Sequence, residues 1–294
     1  MRAAGVLLNT SREAGERGFS TVATTLKRLE KFRGFAKEIG INRLDKIGPE
    51  HVRAYAAELK KSDLSASYQQ NLLSAVNSVM KLGHERLGSS WETVSARAEG
   101  LPARDNVRTE PTSTREQLRQ ALPSMPERAA AVAILARDLG LRSKEASLLN
   151  CKKALHQAQA SGLLRIESGT KGGRAREIPI TSPEQIQSLA AAAHLQGNCR
   201  NLIPEGETWA GFRAGTLLKG RDSLKKQGIA AYHDLRAAYA ADRYQELTGQ
   251  PAPCNAGAHR AADRTADQAA RMLISKELGH GRTDVLVSYV GSSR

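Results

Sequence analysis

The chain is short of aromatic residues, at 4% of its 294 positions, and holds only three cysteines, Cys151, Cys199 and Cys254. With so few aromatics, its cores must be built mostly from Leu, Ala, Ile and Val. The cysteines lie far apart and form no C-x-x-C pair, which argues against both a disulfide framework and a zinc site. No apolar run approaches the ~20 residues needed to cross a membrane, and the patch Val6-Leu7-Leu8 is too brief for a signal peptide. These absences predict a protein of a reducing cytoplasm with no membrane partner. Acidic residues are also scarce: 30 Asp+Glu face 44 Lys+Arg, a net charge of +14. The excess is +5 over residues 1–103 and +9 over the remainder, so no basic tail carries it. A basic surface on both halves points to a polyanionic partner, with nucleic acid leading because its phosphates are dense and counterion release favours binding.

The 40% of apolar residues is enough for a core in each half. Residues 20–87 read as helical. Ser20 is placed to cap a helix with Val22, Leu26, Leu29 and Ile39 at helical spacing. Lys27, Arg28, Lys31 and Lys37 share that segment, and the first three, with Arg174 further on, are candidate DNA contacts. Gly48-Pro49-Glu50 starts a second helix through Val52, Tyr55 and Leu59. Ser65 or Ser67 starts a third, with Tyr68, Leu72, Val76, Val79 and Leu82 along one side. A polar, proline-containing stretch without periodicity follows, and the domain boundary is placed there. The predicted division is a helical domain at 1–100, a linker at 101–114 and a second domain at 115–294.

The second half opens with helices over 115–122 and Glu127–Leu139, the latter ended by Gly140 as a left-handed cap. Arg142 sits at the turn into a helix from Lys144 to Leu149. After a loop, Leu163–Glu167 and Arg176–Ile180 alternate as strands do. Gly169, Gly172 and Gly173 between them suit a hairpin turn, which puts Lys171 at an exposed tip. From Ser182 the chain is again mostly helical, with an irregular stretch near Pro204 to Gly220. The fold class is therefore mainly α with a small antiparallel β-sheet: an α+β domain preceded by a helical one.

Six residues in this half suit one chemistry. They are Arg142 in Gly140-Leu141-Arg142-Ser143-Lys144-Glu145, Lys171 in the hairpin, His233 and Arg236 in His233-Asp234-Leu235-Arg236, His280 in Leu278-Gly279-His280, and Tyr289. Phosphodiester transfer needs a nucleophile in line with phosphorus, positive charge on the non-bridging oxygens and a proton for the leaving oxygen. Arginine pairs two oxygens and never deprotonates. A phenol, with a free pKa of about 10, needs a base or a strongly positive site to attack. Singly, each residue has a plainer role: Arg142 against a helix dipole, Lys171 on a solvated turn, His233 and Arg236 on a polar helix face, Tyr289 as a packed aromatic.

In this order, with His280 and Tyr289 nine residues apart, the set resembles the tyrosine recombinases, the family of phage and mobile-element integrases and Xer-type recombinases. The resemblance covers the second half and extends more weakly to a helical N-terminal core-binding domain. It implies that Tyr289 attacks the scissile phosphate to form a 3′-phosphotyrosyl link. Arg142 and Arg236 would hold the non-bridging oxygens and Lys171 would protonate the leaving oxygen. His233 would accept the proton of Tyr289, His280 would hydrogen-bond the phosphate, and Glu145 would orient these groups from behind. No metal or cofactor is implied. The implied partners are double-stranded DNA gripped by both domains, a homotetramer assembled on two DNA sites, and accessory DNA-bending proteins. Xer-like dimer resolution, a type IB topoisomerase and a non-catalytic DNA-binding accessory protein are the alternatives.

The sequence departs from the family pattern in three places. The stretch between Arg236 and His280 is long, the extra piece being Pro251 to Gln268 with Cys254, His259 and Arg260; it reads either as a surface insertion or as an added DNA or subunit contact. Only Val290 to Arg294 follow the tyrosine. The leader, Met1 to Gly18, is short, so a separate arm-type DNA-binding domain is not expected.

Overall fold

A computed structural model describes residues 2–292. The chain forms two compact units, residues 1–105 and 106–294. Ser293 and Arg294, the last of the residues noted after the tyrosine, lie outside the described residues.

The first unit is helical: α1 (Arg2–Glu13), α2 (Phe19–Glu38), α3 (Pro49–Lys61) and α4 (Ala66–Arg86). In α2, Val22, Thr25, Leu29, Phe32 and Ala36 recur every three or four residues and are buried, leaving Lys27 and Lys31 on the solvent side. The cap of α2 is Gly18, not Ser20: the Thr21 and Val22 amides bond the Gly18 carbonyl, so the first turn closes before Ser20. Pro49 opens α3. The Ser65 hydroxyl caps α4 by accepting the Tyr68 amide at 3.4 Å. Helix α1 was not anticipated; Ala4 and Leu8 bury its inner side against α2 and α4. Phe32 meets Tyr55 edge to face at 5.1 Å, one of few aromatic pairs in a mostly aliphatic core.

The second unit begins with α5 (Arg115–Ala121), α6 (Glu127–Leu139), α7 (Ser143–Leu148) and α8 (Cys151–Ser161). The hairpin β1 (Leu163–Ile166) and β2 (Arg176–Pro179) follows, antiparallel, with Leu163 opposite Pro179 and Ile166 opposite Arg176. Then come α9 (Pro183–Gln196), α10 (Trp209–Ala214), α11 (Thr216–Lys226), α12 (Tyr232–Thr248), α13 (Arg264–Glu277) and the single turn α14 (Val287–Val290). Helix α6 packs on both α9 and α12. Its Ala129, Val132, Ala133, Leu135, Ala136 and Leu139 are fully buried, and Ala237, Ala238, Ala240 and Ala241 answer from α12. Small side chains let these helices approach closely, which is how the core forms with few aromatics.

Three segments differ from the sequence reading. Residues 151–161, taken as loop, form α8, capped where the Asn150 side chain accepts the Lys153 amide at 3.1 Å. The stretch near Pro204 to Gly220 is largely helical, because Thr208 caps α10 and only Gly215 separates α10 from α11. The piece from Pro251 to Gln268 is not simply a surface insertion. Ala252 and Cys254 are about 1% exposed, and Asp263 caps α13 by accepting the Thr265 and Ala266 amides. Within the predicted linker, the Arg108 amide donates to the Val287 carbonyl and the Thr112 amide to Asn255 Oδ1, both at 2.8 Å, so these residues belong to the second unit. All three cysteines are free.

Candidate active site

The site is built where the chain leaves α6. Gly140 adopts φ 60°, and a Cβ there would stand 2.5 Å from the Tyr239 ring, so this turn requires glycine. The reversal delivers Arg142 to the N-cap of α7 and sets Glu145 one turn later. Glu145 is fully buried and accepts four hydrogen bonds, each of 2.7 Å: from the Arg142 amide, from Arg142 Nη1, and from Arg176 Nη1 and Nη2 as a bidentate pair. Arg236 Nη1 is 3.7 Å from the same carboxylate. One carboxylate thus sets three guanidiniums, an arrangement that leaves little rotamer freedom.

The second anchor is the end of α13. The Leu278 carbonyl accepts from Arg236 Nη2 at 2.6 Å and from Arg142 Nη2 at 3.5 Å. Arg236 also donates to the Gly140 carbonyl through Nη1, joining both turns. Gly279 turns the chain at φ 67°; a Cβ would meet Arg176 Cδ at 2.8 Å. His280 follows directly, its Nε2 3.1 Å from the Tyr289 hydroxyl and 3.4 Å from Arg236 Nη2. Arginine only donates, so the proton of His280 belongs on Nδ1 and Nε2 accepts. The Tyr289 ring is buried between His280, with centroids 5.2 Å apart, and His233, 5.0 Å apart and near edge-on. The Arg236 guanidinium lies 5.7 Å from its centroid.

Burial and the crowd of positive charge decide the protonation states. Burial first, then the charge of Arg236 and Arg142, pulls His280 down to about 3, so it is neutral at physiological pH. His233 has an open edge, but partial burial and Arg236 likewise lower it. Burial among other cations brings Arg236 to about 10. Burial would raise Glu145, but hydrogen bonds and charge from Arg176 and Arg142 prevail and hold it at about 2. Arg236 Nε is buried with no partner among the described residues.

The structure therefore brings Arg142, Glu145, His233, Arg236, His280 and Tyr289 together. In one respect it differs from the expected roles: the hydroxyl of Tyr289 meets His280, and His233 offers only its ring. Lys171 stands apart, exposed at the hairpin tip and making no hydrogen bond or ion pair among the described residues. Arg174 is exposed two residues before β2. Arg28 is half-buried on α2, beside the exposed Lys27 and Lys31. Arg176 escaped the sequence reading. Its signal was present, because in the alternation of β2 it shares the inward phase with Ile178, where an arginine needs a buried partner.

Two family models match consecutive stretches. The phage integrase N-terminal SAM-like domain matches residues 13–83 and the Integrase domain matches residues 107–242. The chain belongs to the integrase family of tyrosine recombinases. His280 and Tyr289 lie beyond the matched residues and rest on the geometry above. No curated protein matches the chain in sequence. Among solved structures, it is similar to the Tn1549 transposon integrase in complex with transposon right end DNA: 11% identity, 99% of this chain and 95% of that one covered, TM-score 0.62. It is also similar to a lambda integrase dimer bound to a COC′ core site (17%, 96% and 75%, TM-score 0.58). XerH site-specific recombinase bound to palindromic difH substrate is a third (16%, 98% and 81%, TM-score 0.59). At these identities the likeness is one of fold. Among the described residues, no helix is long and apolar enough to cross a membrane.

Proposed function

We propose that the protein is a site-specific DNA recombinase that cuts and rejoins strands through a 3′-phosphotyrosyl intermediate, in the integration or excision of a mobile element. The observation that carries this reading is the Tyr289 hydroxyl held 3.1 Å from a neutral histidine nitrogen and flanked by Arg236, which shares the Leu278 carbonyl with Arg142. The integrase family models support the mobile-element role.

In the cleavage step, the phenol oxygen forms a bond to phosphorus and the bond to the 5′ oxygen breaks. The phenol proton passes to His280 Nε2, and His233 shields the ring from the other side. Arg142 and Arg236 hold the non-bridging oxygens, where charge develops. Arg236 Nε, without a partner among the described residues, is a donor for them. Lys171, exposed at the hairpin tip, gives its proton to the leaving 5′ oxygen. Glu145 and Arg176 hold the arginines in place. The 5′ hydroxyl of the partner strand then reverses the step, and bond energy is kept without ATP. Lys27, Arg28 and Lys31 on α2 and Arg174 beside the hairpin would contact phosphates. The working assembly would be a homotetramer on two DNA sites.

Covalent trapping tests this. Nicked fragments of the source genome are incubated with protein and denatured, and the linked DNA is sequenced, with Tyr289→Phe as control. Adducts at one recurring sequence, absent from the control, are expected. Scattered adducts would indicate topoisomerase-like cleavage; tight binding with no adduct would indicate an accessory protein.

A further inference from the structure

Helix α14, which carries Tyr289, is a single turn and too short to be stable alone. The orientation of the phenol therefore depends on whatever holds the two ends of that turn. The front is tied by the Arg108 amide on the Val287 carbonyl at 2.8 Å. Behind Tyr289 the chain bends at Gly291, φ 88°, pressed so closely that a Cβ there would stand 2.7 Å from the Cys254 amide nitrogen. Just past this bend lies Arg271 of α13, 4% exposed. Its Nη1 donates to the Gly291 carbonyl at 3.1 Å and its Nη2 to the Ser292 carbonyl at 2.9 Å. Its Nε donates to both oxygens of Asp267, at 2.9 and 3.0 Å, and Asp267 also accepts the Tyr244 hydroxyl at 2.7 Å.

A buried ion pair is costly to desolvate, and replacing one by apolar side chains is often neutral or stabilising. Here the pair spends its remaining donors on the carbonyls two and three residues after the nucleophile. Asp267 and Tyr244 fix the guanidinium, the guanidinium fixes the tail, and the tail fixes the last turn. We infer that Arg271, set by Asp267 and Tyr244, is a positioning residue that holds the phenol of Tyr289 against His280 in its own chain's site. Cys254 completes the cradle, its Sγ 3.7 Å from the Tyr289 carbonyl, so the long stretch between Arg236 and His280 takes part in aiming the nucleophile.

The inference rests on Tyr289 being the nucleophile, and the test separates the two ideas. Arg271→Met alone would leave Asp267 buried and unpaired, so the principal variant is Arg271→Met/Asp267→Asn; Arg271→Lys is the conservative one. Each is assayed on a nicked duplex carrying the trapped sequence, for affinity and for single-turnover adduct formation. The double variant is expected to bind DNA as the parent does but to form adducts about 10–100-fold more slowly, since a displacement near 1 Å costs up to about 10²-fold. Arg271→Lys should recover part of that rate. A purely structural role would lower affinity and adduct rate together and would not be rescued by charge. Unchanged adduct rates, parallel losses of both, or failure of both variants to fold would overturn the positioning role. Absence of adducts with the parent protein would overturn the recombinase reading, and this inference with it.

Discussion

Replacing Glu145 by Gln keeps the shape of the buried carboxylate but removes the charge that three guanidiniums face. In the folded protein Glu145 is held at about 2, against an ordinary 4.5. At 1.36 kcal/mol per pH unit, that gap is worth about 3 kcal/mol of stability. The sign follows from the depressed pKa: the contribution is complete above pH 4.5 and is lost as pH falls through about 2. Parent and variant should therefore differ by about 3 kcal/mol at pH 6, by about half that at pH 3, and hardly at all near pH 2. The chain's two tryptophans lie one in each unit, Trp91 and Trp209. In a Trp91→Phe background, urea unfolding followed by fluorescence reports the unit that contains Glu145. A difference that stays constant from pH 6 to pH 3, or one below about 1 kcal/mol, would refute the account of Glu145 as the carboxylate that sets the site. Adduct formation should fall with stability, because Arg142 and Arg236 lose their common anchor.

His280, held at about 3, should show imidazole resonances that do not titrate between pH 5 and 8 in the free protein; a midpoint near 6.5 would contradict its burial among arginines. Lys171→Ala should leave the melting temperature unchanged, since the side chain makes no bond among the described residues, yet slow strand cleavage by about 10²–10⁴-fold; a normal single-turnover rate would remove it from the mechanism. Gly140→Ala should destabilise the second unit by about 2–3 kcal/mol, combining a left-handed backbone with a collision against Tyr239, and chemical denaturation measures this directly. Removing Lys27 or Lys31 should weaken DNA binding equally on all sequences and flatten its salt dependence by about one charge each; an effect confined to one sequence would argue against a phosphate contact.

The main features of the fold were readable where hydrophobic spacing or turn residues were strong. The run from Glu127 to Gly140 showed both the helix and its left-handed stop, and the alternation around Lys171 showed the hairpin. Helices α1 and α8 were not readable, because their buried positions are mostly small: Ala4, Cys151, Ala154 and Ala158 carry little hydrophobic signal at helical spacing. The candidate site was visible as residue types in order along the chain, but its contacts were not. Spacing does not reveal which imidazole nitrogen reaches the Tyr289 hydroxyl, and in the structure it is that of His280. Arg176, whose only signal was its inward phase in β2, and Arg271 were missed for a related reason. An arginine in sequence looks like surface, and only the packing shows that one is locked to Glu145 and the other to the chain beyond Tyr289.

The site also has a charge imbalance. Around Glu145, three guanidiniums share one carboxylate and the nearby histidines are held neutral, so two positive charges lack a counter-ion among the described residues. A phosphodiester at rest brings one negative charge. A phosphodiester under attack by a phenolate brings two. On the proposed reaction, one surplus charge would remain when a resting phosphodiester is bound, so the free site would favour the negative charge that builds on the phosphate during attack over the bound substrate alone.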